Sequence, residues 1–438
     1  MNTTKLKKWF VGIWFASGLL VAIGLVPYFY KNGPGMDIGI YVNQMHHVVR
    51  GIDPFDVLKG KIDSEEYYPL GREDLKTATR NKIIDGNAPW TYAYSLPLSI
   101  DFPLWRKWQV WCVCQLSFLL AIIAFAFYRG NRLSPGCGLF MAAAALSVGT
   151  SFVINFQTGN YIMMVLAALA GMLFCLEKGR DVLAGVCWAV VVAKPQDGFL
   201  LAIPLLIGRR WKTVVTAGAI CLVATWIASH LIGKPMIDLI LEVPQIKSGA
   251  GYSIHESARL IPEAVCQWLV GRGWTIEAIQ SISFAGGVLL CFALSYLVRK
   301  SPDWVVRVSP AVLCASLWTY MRPYDRCIFF VLQMALASRL ILSGSKRERV
   351  ILGVMMAVVF CSCLETINYC TTLLPTIGER LNWPGFAGFV SSLVSHLTSI
   401  SSALLLCSFV VWCIVEHRRL SMSDIAVVGN SRSSASHG

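Results

Sequence analysis

Apolar runs of membrane-crossing length, separated by short polar breaks, follow one another along almost the whole chain. They fall near 9–29, 108–128, 135–154, 159–176, 182–194, 197–208, 213–232, 281–298, 307–321, 326–343, 350–374 and 388–415. A hydrocarbon core takes roughly 20 helical residues to cross, so the pattern predicts an all-α polytopic membrane protein of about 12 transmembrane helices. The runs at 182–194 and 197–208 are each too short to cross alone, and basic residues flank the pair at both ends. The chain is therefore expected to enter the membrane and turn back, with Lys194-Pro195-Gln196-Asp197 at the tip.

A different periodicity follows the first run. Ile38, Tyr41, Val42, Met45, Val48, Val49 and Ile52 recur at helical spacing, with Asn43, Gln44, His46, His47 and Arg50 on the other face. This predicts an amphipathic helix lying in the membrane interface. Asp37 opens the segment and sets a carboxylate where a membrane helix meets water. Aspartate at a helix start also caps the free amides of the first turn, so a purely structural role stands beside any chemical one.

Composition then fixes the class. With 55% hydrophobic and only 14% charged residues over 438 positions, and a mean hydropathy of +0.59, soluble enzymes are excluded. A net charge of +13 would suggest nucleic acid in a soluble chain. Here the charge is concentrated at Lys5/Lys7/Lys8, Arg129/Arg132, Lys178/Arg180, Arg209/Arg210/Lys212, Arg299/Lys300, Lys346/Arg347/Arg349 and Arg418/Arg419. Each cluster falls after an even number of runs, which assigns all of them and both termini to the cytoplasmic side and leaves no nucleic-acid partner. The loops 31–107 and 233–280 then face outward. The 15 cysteines lie mostly within apolar runs, without zinc or redox spacing, and read as small buried hydrophobes. The first run lacks a small-residue cleavage site and is expected to be retained as a helix. Residues 1–420 form one expected integral membrane domain, followed by a Ser-rich disordered cytoplasmic tail at 421–438.

Ionisable groups at depth are the next signal, since each costs several kcal/mol in hydrocarbon unless it is paired or faces water. Lys194, Arg322, Asp325 and Arg326 qualify. Lys194 reaching to the interface, and Asp325 paired with Arg322 or Arg326, are the structural explanations. On the assigned topology Asp37, Lys194, Arg322 and Arg326 lie near the outer surface, where one cavity would bring an acid and several cations together. Moving a sugar from a lipid phosphate requires a base for the acceptor hydroxyl and fixed positive charge for the departing phosphate. Asp37 suits the first role. Lys194, Arg322 and Arg326 suit the second, arginine through its planar fork and lysine as a point charge. No strand-to-helix phosphate loop is visible for a nucleotide sugar. No clustered carboxylate triad is visible either, so no cofactor is expected, with a divalent metal left open.

The order of short motifs resembles glycosyltransferase family 87 of the GT-C superfamily, which includes polyprenol-phosphate-mannose-dependent mannosyltransferases. The pieces are Asp37-Ile-Gly-Ile-Tyr41, Gly51-Ile-Asp-Pro54-Phe55, Tyr92-Ala-Tyr94-Ser-Leu-Pro97, Gln157-Thr-Gly159-Asn160, Lys194-Pro195, Ser253 to Leu260 and Tyr324-Asp325. The chain departs from the usual pattern where Tyr94-Ser-Leu-Pro97 replaces a tyrosine-proline-proline piece, and no histidine accompanies Tyr320 to Arg326. The resemblance implies a GT-C-like helical bundle in the plasma (inner) membrane with interfacial helices in its outer-face loops, and Asp37 as catalytic base. It also implies a polyprenyl-phosphate sugar donor, with mannose as the default sugar. The acceptor would be a membrane lipid or glycan hydroxyl and the transfer inverting. Tyr41, Tyr94, Asn160, His255 and Asp325 are the matching candidates for substrate contact, although a surface histidine beside Glu256 is more often simply solvated. Two other classes fit the same charges: a secondary transporter or lipid flippase, and a glycan polymerase or ligase of similar architecture.

Overall fold

The structure, a computed structural model, describes residues 36–54, 56, 89–100, 102–249, 268–318, 323–363, 401 and 404–421. The described residues are helical throughout, with no strand among them. In chain order the helices are α1 (Met36–Val48), α2 (Trp90–Ser95) and α3 (Leu104–Leu133), then α4 (Gly138–Leu146), α5 (Gly149–Thr158), α6 (Ile162–Glu177) and α7 (Asp181–Val191). They continue as α8 (Ala202–Ile207), α9 (Trp211–Ile232), α10 (Met236–Gly249), α11 (Ile276–Leu297), α12 (Trp304–Trp318), α13 (Phe330–Leu342) and α14 (Lys346–Cys363). A last helix, α15, runs over 404–421. Short 3₁₀ turns at Leu96–Ser99, Phe199–Leu201 and Pro323–Phe329 connect them.

The longest helix, α3, shows how an apolar sequence sorts itself without water. Trp108, Cys112, Leu119, Ile122 and Ala126 form a stripe at helical spacing and are buried, while Val110, Val113, Leu120 and Phe127 on the other side are exposed. A surface of large apolar side chains opposite a packed stripe is the pattern of a helix covered by lipid rather than water. Helix α9 repeats it, exposing Val215, Leu222, Val223 and Trp226. Trp105–Leu133 and Trp211–Ile232 are long and apolar enough to cross a membrane, whereas the apolar segments of α6, α7, α11 and α12 are shorter. The expected count of about 12 crossings is thus not established by the described residues. The run at 9–29 lies outside them. The run at 135–154 is not one helix: it breaks at Ser147 and Val148 into α4 and α5.

At the bundle's centre lies α13, buried over Phe330–Arg339. Its end, and the ends of α3, α6 and α15, meet in a network of charges. The Arg129 guanidinium bonds Glu177 and Asp303, Arg132 reaches Glu177 at 3.1 Å, and Arg339 pairs with Glu416. His417 contacts the Leu297 carbonyl at 3.1 Å, which adds the end of α11. Arg210 and Asp181 pair at 3.0 Å nearby, and Arg210 lies 5.1 Å over the Trp304 ring. The charged ends of these helices, which carry several of the basic clusters that the sequence assigned to one side, are therefore gathered at one pole; Lys5, Lys7 and Lys8 lie outside the described residues.

The Asp181–Arg210 pair also shows that the segment between them leaves this pole and returns to it. Trp188 on the outgoing arm donates its indole N–H to the Gly198 carbonyl on the returning one at 3.0 Å. Lys194-Pro195 stands at the turn, with proline in the first position of a single helical turn where its missing N–H costs nothing.

Helix α1 differs from its expectation. Its apolar residues Ile38, Tyr41, Val42, Met45 and Val48 are buried, but so are Asp37, Gln44 and His47. Gln44 points at the Tyr92 hydroxyl, 3.5 Å away, rather than at water. Part of the expected polar face is thus packed rather than solvated, with α2 and the Leu96–Ser99 turn against the helix, while Arg50 just beyond its end stays exposed.

Candidate active site at the pole opposite the charge network

The carboxylate of Asp37 is 4% exposed and accepts a hydrogen bond from Asn160 Nδ2 at 2.9 Å. The orientation of the amide is fixed by its other end, since Asn160 Oδ1 accepts the backbone N–H of Ile162 at 3.0 Å, capping the first turn of α6. With the oxygen so engaged, the NH₂ group can only face the aspartate. One asparagine thus caps a helix and holds an acid.

Gly159 makes this meeting possible. It ends α5 in the left-handed region (φ 73°), which glycine enters without steric cost. A β-carbon there would stand 2.7 Å from the Trp108 ring and 3.1 Å from Ile38. Helices α1, α3 and α5 therefore touch at a point with room for hydrogen only, and Asn160 follows immediately. Trp111, one turn beyond Trp108, donates its indole N–H to the Gly159 carbonyl at 2.9 Å and ties α3 to the same point.

Tyr41, one turn along from Asp37, forms an edge-on contact with Tyr161 at 4.9 Å between ring centroids. The Tyr161 hydroxyl donates to the Ala193 carbonyl at 3.3 Å, and Lys194 Nζ lies 5.4 Å over the same ring. Tyr41, Tyr94 and Tyr161 line a cavity of about 490 Å³ that opens between the Leu96–Ser99 turn and the start of α3. Burial pushes the Tyr94 hydroxyl well above the ordinary phenol range, and the thiol of Cys221 beside it adds to the rise, so this side chain stays neutral.

Two of the three cations expected at the phosphate have polar partners in the protein. Lys194 Nζ pairs with Asp325 Oδ1 at 2.5 Å, and both side chains are buried. The pairing of Asp325 expected with Arg322 or Arg326 is thus met by Lys194 from the turn between α7 and the Pro195–Gly198 segment. Arg326 donates to the carbonyl of Ser362 near the end of α14, where a cation complements the exposed carbonyls of a helix end. Arg322 and His255 lie outside the described residues.

Three features escaped the sequence. Tyr161 follows Asn160 directly, and nothing in its local sequence sets it apart from ordinary apolar chain. Arg106 and Lys107 stand at the mouth of the cavity; their signal was a basic pair at the start of an apolar run. The third is a group of carboxylates. The sequence shows no acidic triad, but Asp53, Asp56 and Glu242 place oxygens within 4.8 Å of one another. Lys234 bonds Asp53 and approaches Asp56 at 2.8 Å and Glu242 at 3.6 Å. Burial alone would lower this ammonium's pKa, but the bonds to Asp53 and Asp56 outweigh burial and hold it above the usual lysine range. The group reads as a clasp in which one ammonium ties the segment that follows α1 to the start of α10.

No curated protein and no solved structure matches the chain. The profile of glycosyltransferase family 87 matches residues 89–362. That stretch starts after Asp37 and contains its partner Asn160, the cavity wall from α2 and α3, and the Lys194–Asp325 pair. Spanning well over half of the sequence and every described element of the candidate site except α1, the match shows that the chain belongs to glycosyltransferase family 87.

Proposed function

We propose that the protein transfers a sugar from a polyprenyl-phosphate donor to an acceptor hydroxyl, with inversion, and that Asp37 is the general base. The acceptor oxygen attacks the anomeric carbon as its proton passes to the Asp37 carboxylate. The bond from that carbon to the phosphate oxygen breaks, and the lipid phosphate leaves with the electron pair. The observation that carries this reading is the Asn160–Asp37 bond: a buried acid is held one helical turn from the tyrosine that lines the cavity. A carboxylate fixed in direction and shielded from water is what base catalysis requires. Mannose is the default sugar by family resemblance, and the acceptor is a membrane lipid or a membrane-borne glycan.

The gathering of the basic clusters at the opposite pole supports an orientation with that pole in the cytoplasm and the Asp37 site at the outer face of the plasma membrane. Family membership favours transfer over a transporter or flippase. The test compares sugar transfer from radiolabelled polyprenyl-phosphate mannose in membranes carrying wild type or Asp37→Asn at equal expression. The variant should lose on the order of 10²–10⁴ of the rate, the usual share of a general base. Undiminished transfer by it removes Asp37 from the mechanism.

A further inference from the structure

Helices α3 and α6 are tied together at both ends. Trp111 bonds the Gly159 carbonyl just ahead of α6 at 2.9 Å, and at the charge-network pole the Arg129 guanidinium bonds Glu177. Between these ties many of the facing residues are small, and a groove of about 390 Å³ is left, with Ala121, Ala124 and Tyr128 on the α3 side and Ala167, Gly171 and Phe174 on the α6 side. Ala121 and Ala124 are exposed, as are their neighbours Leu120 and Phe127, so the groove opens outward on the apolar surface of the bundle. From 121 to 128 on one wall and from 167 to 174 on the other it runs two helical turns, about 10 Å. Tyr128 and Phe174 meet edge-on at 5.5 Å between ring centroids and form its end nearest the charge network.

Each wall ends in a cation one turn further on, Arg132 after Tyr128 and Lys178 after Phe174. The two differ in their partners. Arg132 bonds Glu177 at 3.1 Å, and together with Arg129 it is balanced by Glu177 and Asp303. Lys178 has no carboxylate partner among the described residues. Its Nζ lies 5.3 Å over the Tyr128 ring and 5.7 Å over the Phe174 ring, the two that end the groove, and the residue is exposed. The rings hold the ammonium at the groove's mouth while its charge stays uncommitted. An apolar slot with such a cation at its end complements one hydrocarbon chain hanging from an anionic head group. A helix of a second copy would cover the small residues but bring no anion to Lys178, whereas a lipid carries its phosphate where the hydrocarbon ends.

We infer that this groove holds one acyl chain of an anionic phospholipid, with Lys178 against the phosphate. Tyr128 lies about 25 Å along α3 from Trp111, so the bound lipid would be a fixture of the bundle apart from the Asp37 carboxylate. Full-length protein in detergent is titrated with dioleoyl phosphatidylglycerol and with dioleoyl phosphatidylcholine, and retained lipid is read by native mass spectrometry. Wild type should hold phosphatidylglycerol the more tightly. Lys178→Gln should weaken it about fivefold, the scale of one basic residue beside an anionic membrane surface, with a smaller effect on phosphatidylcholine, and Lys178→Arg should restore it. Lys346→Gln removes an exposed cation from the start of α14 and should leave retention unchanged. Ala124→Trp fills the groove from an exposed position and should weaken both lipids while the melting temperature in lipid-free detergent stays that of wild type. The proposal is overturned if phosphatidylcholine binds as well as phosphatidylglycerol, if Lys178→Gln or a folded Ala124→Trp retains lipid as wild type does, or if Lys346→Gln loses as much as Lys178→Gln. A wild-type dimer that Ala124→Trp splits would overturn it too, by giving the groove to a contact between two copies.

Discussion

The amide of Asn160 is bonded at one end to the backbone of α6 and at the other to the carboxylate of Asp37, 2.9 Å away. The base is thus aimed by a residue from another helix rather than by its own. Asn160→Ala should cost about 1 kcal/mol of stability through loss of the cap. Its larger effect should be on kcat, with KM for the donor little changed, because a less well-aimed carboxylate still leaves the lipid site intact. Steady-state kinetics in detergent check this split. A rise in KM alone would mean that Asn160 contacts substrate, as the sequence suggested, rather than the base.

Gly159 offers a sharper test of the same point. Gly159→Ala must adopt a left-handed φ of 73° and also force its β-carbon against the Trp108 ring. Gly136 has a comparable φ of 83° with nothing within 4 Å, so Gly136→Ala measures the backbone term alone, about 1 kcal/mol. Thermal unfolding should show a markedly larger loss for Gly159→Ala, and transfer should fall only in that variant. Equal losses would mean that the helix contact at Gly159 yields easily.

Lys194 and Asp325 form a buried pair, and removing one partner takes a charge-assisted bond from the other at a buried position. Lys194→Met alone should lose about 3–5 kcal/mol, and the double variant Lys194→Met/Asp325→Leu should recover most of it. The double variant should keep transfer within about tenfold of wild type, a difference of roughly 1.4 kcal/mol in transition-state stabilisation. A stable double variant that has lost a hundredfold or more would return Lys194 to the donor phosphate.

The Lys234 clasp predicts a pH dependence. Its raised pKa means that its contribution is complete below the unfolded value of about 10.4 and declines only as pH climbs through the higher folded value. The melting offset between wild type and Lys234→Met should be constant from neutral pH to the unfolded value and narrow only above it. An offset that is already shrinking near neutrality would show that Asp53 and Asp56 do not hold the ammonium.

Much of the architecture was legible because lipid imposes a coarse rule, apolar length with basic ends. That rule located α3, α6, α9 and α11 and the turn at Lys194. It missed the break at Ser147, because small residues such as Ser147, Gly149, Thr150 and Ser151 are also tolerated inside membrane helices and do not by themselves mark an end. It also misjudged α1: polar residues opposite an apolar stripe signal solvent only when nothing else covers them, and Gln44 finds Tyr92 instead. At the site, Asp37 and Asn160 could each be singled out from their motifs. Their contact spans 123 positions of sequence, and no local pattern encodes that. Arg106 and Lys107 were hidden for another reason, since cations at the end of an apolar run are commonplace until the cavity beside them is seen.

Trp111 and Lys107 occupy one face of a single stiff rod, the first bonded to the Gly159 carbonyl and the second to the Leu98 carbonyl. A rod of this kind acts as a ruler: the interval between the Gly159 turn and the Leu96–Ser99 turn is set once, by a single helix.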